Sequence, residues 1–388
     1  MKTLYLDHAA TTPLDERVLE AMLPFMTENF GNANSAHHLG QQAKVMVEDA
    51  REKIAHLINA EPSEIIFTSG GTESDNAIIK GVLAVSGNKK EVITSHLEHH
   101  AVLHPIEMSK MNGFKPVFVE TEECGRITAP NVEKVITDQT ALVSLMHVNN
   151  ELGSINQIKE IATLSKAHNI PIHSDTVQSL GKIPLDVKEL GVDFLSGSAH
   201  KIYGPKGIGI MYVKNGSRWI PWMTGGSQER RRRGGTINVP GVIGFAKALE
   251  LAVNEMEENT IRFKKLRSLL LSLLDEKLTS CSYTVNGTNN NKVPHIINLS
   301  FTDDFGHGID GEMLLLNLDI EGICVSNGSA CTSGAVEPSH VLTGLGVNDK
   351  DAKSSIRVSF GKKNTEEDIH FFVKKLDGVL TRMFDLVQ

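Results

Sequence analysis

At 388 residues the chain is too long for one small hydrophobic core and is expected to divide into two compact units. A net charge of −8, with 40% apolar and 22% charged residues, argues against broad nucleic-acid binding and favours a water-exposed globular protein. The longest leucine-rich run, Leu269 to Leu274, is far too short to cross a bilayer.

The opening MKTLYLDHAATTP lacks the apolar stretch of a secretory signal. The cysteines, at 124, 281, 324 and 331, form no CxxC pair, a scatter that suits a reducing compartment, so a cytoplasmic location is expected. Along the chain, strand-like runs alternate with helical stretches, the pattern of an α/β sheet flanked by helices. Glu64 to Thr68, Glu91 to Ser95, Phe114 to Val119, Ala141 to His147, Ile170 to His173, Phe194 to Ser196 and Ile208 to Val213 read as strands. A segment from Val242 to Leu278, without proline and without glycine after Gly244, reads as one long helix joining a large unit to a smaller one. The smaller unit holds strands near Pro294 to Phe301, Gly322 to Val325 and Ser355 to Phe360.

Ligands of parallel sheets sit beyond the carboxyl ends of the strands, which directs attention to four junctions. Thr68 to Asn76 (TSGGTESDN) is a glycine turn opening a helix, where free N–H groups can hold a phosphate with help from Thr72, or simply start a capped helix. His173 to Gln178 (HSDTVQ) brings Asp175 to a strand end. A carboxylate there can keep a ring nitrogen protonated, as pyridoxal-phosphate enzymes require, or can cap a helix. Ser196 to Gly207 (SGSAHKIYGPKG) places Ser198 and His200 to donate to phosphate, with Lys201 at the strand end as an amine that partial burial can activate. Lys206 is the rival, within a GPKG turn, and no Gly-Lys-Ser/Thr follows, so this is no Walker loop. Finally, Ser326 to Gly334 (SNGSACTSG) sets Cys331 in a small polar loop suited to a reachable thiol, whereas Cys324 lies in an apolar run and Cys124 and Cys281 read as structural.

These motifs, in this order, resemble the NifS/IscS-like cysteine desulfurases of the class V aminotransferase superfamily. The matching pieces are LDHAATTP, FTSGGTESDN, LEHHAV, HVNNELG, HSDTVQSLGK, SGSAHKIYGPKGIG, QERRRRGGTINV, NGSACTSG and SSIRVSFG, from Leu6 to Gly361. The resemblance implies the fold type I architecture of pyridoxal-phosphate-dependent transferases: a large domain, residues 15–258, with a mostly parallel seven-stranded sheet, and a small α/β domain from residues 1–14 and 259–388. It also implies a homodimer. By the same resemblance Lys201 is the Schiff-base lysine, Asp175 the partner of the pyridine nitrogen, and His99 a ring stacked on the cofactor and an acid–base partner. Asn150 and Gln178 would contact the ring oxygen. Gly71, Thr72, Ser198 and His200 would hold the phosphate, with Thr236 reaching it from the neighbouring subunit. Arg357 would clamp the substrate carboxylate, with Asn150 and Asn32 also on the substrate side, and Cys331 would receive the sulfur.

The implied reaction turns L-cysteine into L-alanine and leaves a persulfide on Cys331, to be passed to an acceptor protein such as an iron–sulfur scaffold or a thiouridylase. Other pyridoxal-phosphate reactions, transamination or selenocysteine lysis, and a non-catalytic persulfide carrier or scaffold remain open beside it. No membrane, nucleic-acid or metal partner is expected. His96, His99, His100 and His104 contain an i, i+4 pair with nothing nearby to complete a metal site, and Arg230 to Arg233 read as a charged loop. The chain departs from the family at Ala33 in GNANS, Ser227 in GGS, Arg231 and Gly234 in the arginine run, and Ser174 in HSD. The Arg231 region is where such changes would touch the subunit contact or cofactor affinity. The chain also ends without the longer tail of some relatives.

Overall fold

The structure, a computed structural model, describes residues 3–287, 291–303, 306, 308–327 and 338–385. After a short β1 (Leu4–Tyr5), seven apolar runs become the strands β2 (Ile65–Thr68), β3 (Glu91–Thr94), β4 (Lys115–Phe118), β5 (Thr140–Ser144), β6 (Ile172–Asp175), β7 (Phe194–Ser198) and β8 (Gly209–Val213). They form one sheet in the order β2-β8-β7-β6-β5-β3-β4. Only β8 runs against its neighbours, β2 and β7; every other pair is parallel. Every residue of β2, β5, β6, β7 and β8 is buried, which is why these runs show no polar alternation: helices cover both faces. The expected strand Ile170 to His173 is displaced toward its carboxyl end, because the ladder with β7 continues until Asp175 lies opposite Ser196.

The second core belongs to β9 (Ser282–Val285), β10 (Ile296–Thr302), β11 (Ile323–Cys324) and β12 (Ser355–Ser359). An antiparallel sheet of order β12-β10-β9 packs on the helices Met256–Lys277 and Glu366–Asp385 through Leu270, Phe301, Ile356 and Phe372. The amino terminus joins this core rather than the first: β1 pairs parallel with β11, and Leu4 and Leu6 are buried in it.

The long connecting helix is two helices, Val239–Asn254 and Met256–Lys277, bent at Glu255 (φ −93°, ψ 1°). No glycine or proline marks the break. The first helix buries Val242, Phe245 and Leu249 in the large core, and the second buries Leu266, Leu270 and Leu274 in the small one. Two apolar stripes aimed at different cores are met by a bend, which the Glu255 carboxylate holds through Arg17 at 2.6 Å and Lys362 at 3.4 Å.

Between the cores the segment from Asp7 to Asp15 crosses the carboxyl ends of β6 and β7. It is tied down by Thr12 N–H donating to His200 O (2.9 Å) and Asp15 N–H donating to Tyr203 O (3.0 Å). That crossing roofs the region where the sheet presents its ligand-binding edge.

Candidate active site

A cavity of about 380 Å³ opens beyond the carboxyl ends of β5, β6 and β7. Gly71, Thr72, His99, Asn150, Asp175, Gln178, Ser198, His200, Lys201 and Arg357 all line it. Residues far apart in sequence meet here because most stand at or just past the end of a strand of the large sheet or at the start of the next helix, while Arg357 reaches in from β12 of the smaller sheet.

Lys201 follows β7 in the short 3-10 turn Ala199–Lys201. Its ammonium donates to Ala9 O at 2.7 Å and Ala10 O at 2.6 Å, both on the crossing segment. Burial pushes its pKa down to about 8, with the Arg357 charge adding to the push, so the free amine is accessible near neutrality. Asp175 ends the adjacent strand, and one of its oxygens accepts Val177 N–H at 2.8 Å. Burial pushes Asp175 up to about 7, reinforced by Asp75, itself pushed up to about 7 by burial and bonded to Ser196. A desolvated carboxyl of this kind fits a cationic N–H presented from the cavity, whose charge would draw it back into the ionised form.

His99 caps the helix His100–Met108, and its Nδ1 accepts Ala101 N–H at 3.0 Å, which leaves the proton of the neutral ring on Nε2. Burial and then Lys201 lower its pKa to about 4. His200 is likewise lowered to about 4, by burial first and Lys201 second, and its Nδ1 lies 3.0 Å from Thr11 Oγ1. Both rings are therefore neutral at physiological pH. At the far wall Arg357, on β12, is buried. Its Nη2 donates to Asp7 Oδ1 (2.7 Å) and its Nη1 to Asn150 O (3.1 Å), while Nε has no partner among the described residues. Asn150 Oδ1 is buried and without a partner as well.

The corner where the sequence suggests a phosphate is the turn from β2 into the helix Gly71–Leu83. Gly71 is required sterically: a Cβ there would meet Val177 Cγ2 at 2.6 Å. Ser198, at the end of β7, and the first N–H groups of this helix therefore share one corner with His200.

Two expected site residues lie apart. Asn32 is exposed, with its Oδ1 accepting Asn34 N–H at 3.0 Å, and Thr236 is exposed; neither lines this chain's cavity. Cys331 falls outside the described residues. The arginine run is engaged by acids of the same chain: Arg233 pairs with Glu73 at 2.8 Å and Arg230 with Glu48 at 3.1 Å. Among the described residues no group of three or more His, Cys, Asp or Glu could hold a metal; His100 and His104 stack at 4.7 Å instead. No helix among them is long and apolar enough to cross a membrane.

Sequence reasoning overlooked Asp7, Ala9 and Ala10, which touch Arg357 and Lys201, and Glu151 and Lys182 beside them. The signal was in LDHAATTP, where an acid and a histidine precede small residues that let a backbone approach closely.

The profile of the family "Aminotransferase class-V" matches residues 4–372. The chain belongs to the class-V aminotransferase family. It is 44% identical over 383 residues to "Cysteine desulfurase IscS" of Dictyoglomus turgidum, covering 98% of this chain and 95% of that one. Among solved structures, a "NIFS-like protein" superposes with a TM-score of 0.90 at 39% identity, over 98% of this chain and 100% of that one. "SspA in complex with cysteine" superposes with a TM-score of 0.78 at 34% identity, over 92% and 99%. The similarity to this family's members thus spans both cores and every wall of the cavity described above.

Proposed function

We infer that this chain is a cysteine desulfurase, removing the sulfur of L-cysteine and releasing L-alanine. The observation that carries the reading is the convergence of Lys201, Asp175 and Arg357 on one cavity, in a chain whose relatives include a named cysteine desulfurase and a protein solved with cysteine.

The cavity residues fit pyridoxal 5'-phosphate: a primary amine lowered to about 8, a carboxyl raised to about 7, an orphaned amide oxygen on Asn150 and a glycine turn at a helix start. When bound, that cofactor supplies an aldehyde for amines and a protonated ring that withdraws electrons from the substrate α-carbon. Asp175 would hold the ring nitrogen's proton, and Gln178 and Asn150 would face the ring oxygen. Gly71, Thr72, Ser198 and His200 would hold the phosphate. Neutral His99 would lie against the ring with its Nε2–H available for proton transfer to or from a thiol. Arg357, held by Asp7, would grip the substrate carboxylate through Nε and a remaining Nη hydrogen.

Lys201, as the free amine, would take the α-proton. The Cys331 thiolate then attacks the substrate sulfur: an S–S bond forms, the C–S bond breaks, and its electron pair stays with the β-carbon, which takes a proton, while the α-carbon regains its proton from Lys201. Cysteine and a thiol thereby become alanine and a persulfide, with atoms and electrons balanced. The persulfide would pass to an acceptor protein in the cytoplasm.

A homodimer completes the proposal. Leu19, Leu23 and Met26 form an exposed apolar stripe on the helix Glu16–Thr27, and Phe30 and Val45 are exposed as well. Asn32 and Thr236 are exposed and outside this chain's own cavity, which suits residues supplied to the partner's cavity by a symmetric pairing. The proposed division is a large domain, residues 15–258, and a small one, residues 1–14 and 259–388; the two separate hydrophobic cores support a division of this kind.

The test is absorbance and product analysis of purified protein. Loading with pyridoxal phosphate should give a visible band that Lys201→Ala lacks, and added cysteine should yield alanine. Protein that cannot take up the cofactor, or that takes it up and forms no alanine, would overturn the reading.

A further inference from the structure

Lys182 has no part in the chemistry above, yet its side chain turns inward beneath the cavity. Among the described residues its ammonium pairs with no carboxylate; its partner is Gln178 Oε1 at 2.7 Å. Lys182 and Lys201 also line a second, small cavity of about 50 Å³ together with His8 and His295. Burial pushes Lys182 down to about 7, with Lys201 and Arg357 adding to the push. An ammonium placed among other cations without a counter-ion is destabilising, and an apolar chain of similar length would serve packing better. The position therefore answers to something other than stability.

The amide it touches shows what that is. An ammonium only donates and a peptide carbonyl only accepts. Lys182 draws Oε1 of Gln178 toward itself, and Ala9 O takes Nε2 of the same amide at 2.8 Å. Both ends of Gln178 thus demand one orientation out of two. Ala9 O is also the acceptor of Lys201 at 2.7 Å, so one chain of hydrogen bonds runs Lys182–Gln178–Ala9–Lys201. Without Lys182, Oε1 would lose its partner and Ala9 O alone would hold the amide, so its N–H2 end would be less firmly set toward the cavity.

We propose that Lys182 is a positioning residue of the cofactor pocket: it locks the Gln178 amide with its N–H2 end toward Ala9 and the cavity. The proposal rests on the pyridoxal-phosphate reading of this site.

A double-mutant cycle tests it on full-length protein, with the dissociation constant for pyridoxal phosphate and the absorption maximum of the loaded protein as readouts. Lys182→Met should weaken cofactor binding about tenfold, the worth of one well-placed hydrogen bond, and shift the absorption maximum. Lys182→Arg, which still donates, should recover most of both. In a Gln178→Leu background Lys182→Met should change neither, because the group it orients is gone. Equal weakening in both backgrounds, or no weakening in the parent, would overturn the proposal. Melting of the unloaded variants separates this from a folding defect, and Lys182→Leu gives the same comparison should the methionine variant not fold. A parent protein that binds no pyridoxal phosphate overturns the functional reading itself, and the inference with it.

Discussion

Replacing Arg357 by Ala isolates substrate binding from the rest of the site. A guanidinium has five N–H groups. Two are spent on Asn150 O and Asp7, and Nε is buried and unpartnered, on the side where a carboxylate can also reach the free Nη hydrogen. Each hydrogen bond to a charged group is worth about 1.5–3 kcal/mol. The open cavity places this pair at the lower end, about 3 kcal/mol in total, or about a hundredfold in affinity. Arg357→Ala should therefore raise KM for cysteine about a hundredfold, measured as alanine formed against cysteine concentration, with the cofactor still bound. Arg357→Lys keeps charge but not the fork and should fall between the two. The substitution also strands Asp7, so melting temperature should drop. Adding Asp7→Asn should restore stability without restoring KM. An Arg357→Ala protein that stays folded with an unchanged KM would refute the clamp.

Glu229 is buried against Arg51, with both guanidinium–carboxylate contacts at 2.8 Å, and also accepts Phe67 N–H at 2.9 Å. Glu229→Ala leaves the arginine unpaired and should lower unfolding free energy by about 3–5 kcal/mol in denaturant titrations; a loss below 1 kcal/mol would mean the pair is replaceable by water. Burial alone lowers His147 to about 4 from 6.5. The unfolded chain takes up that proton first, so the His147 contribution is intact above about pH 6.5 and is lost as pH falls toward 4. His147→Phe should flatten this acid limb by at most about 3 kcal/mol, and an unchanged limb would show that other groups govern it. Cys331→Ala should keep the visible cofactor band and lose persulfide, read by alkylation and mass spectrometry; persulfide formed at the same rate would assign the sulfur to another thiol.

Much of the site was legible in the chain because chemistry concentrates where strands end. Asp175 and Lys201 stand beyond neighbouring parallel strands, so the pattern of strand, turn and polar residue points to both. The Gly71 turn was readable for the same reason, since a glycine pair before a helical run exposes backbone N–H groups. The bend at Glu255 was not, because nothing local breaks the helix; two apolar stripes facing separate cores do. Asn32 and Thr236 were legible only through the resemblance, and neither reaches its own chain's cavity.

Alternating apolar runs were enough to determine the α/β class, since buried parallel strands must be apolar on both faces, and the ordered motifs were enough to place the family. Tertiary structure alone decided how the amino terminus serves the site. Its strand pairs with β11, and its backbone then crosses to put Ala9 O between Lys201 and Gln178, and Asp7 on Arg357. Carbonyl groups carry no residue identity, and contacts some 190 to 350 residues apart leave no local period to read. The desolvation that moves Lys201, Asp175 and Lys182 toward neutrality arises in the same way, from packing that no single segment encodes.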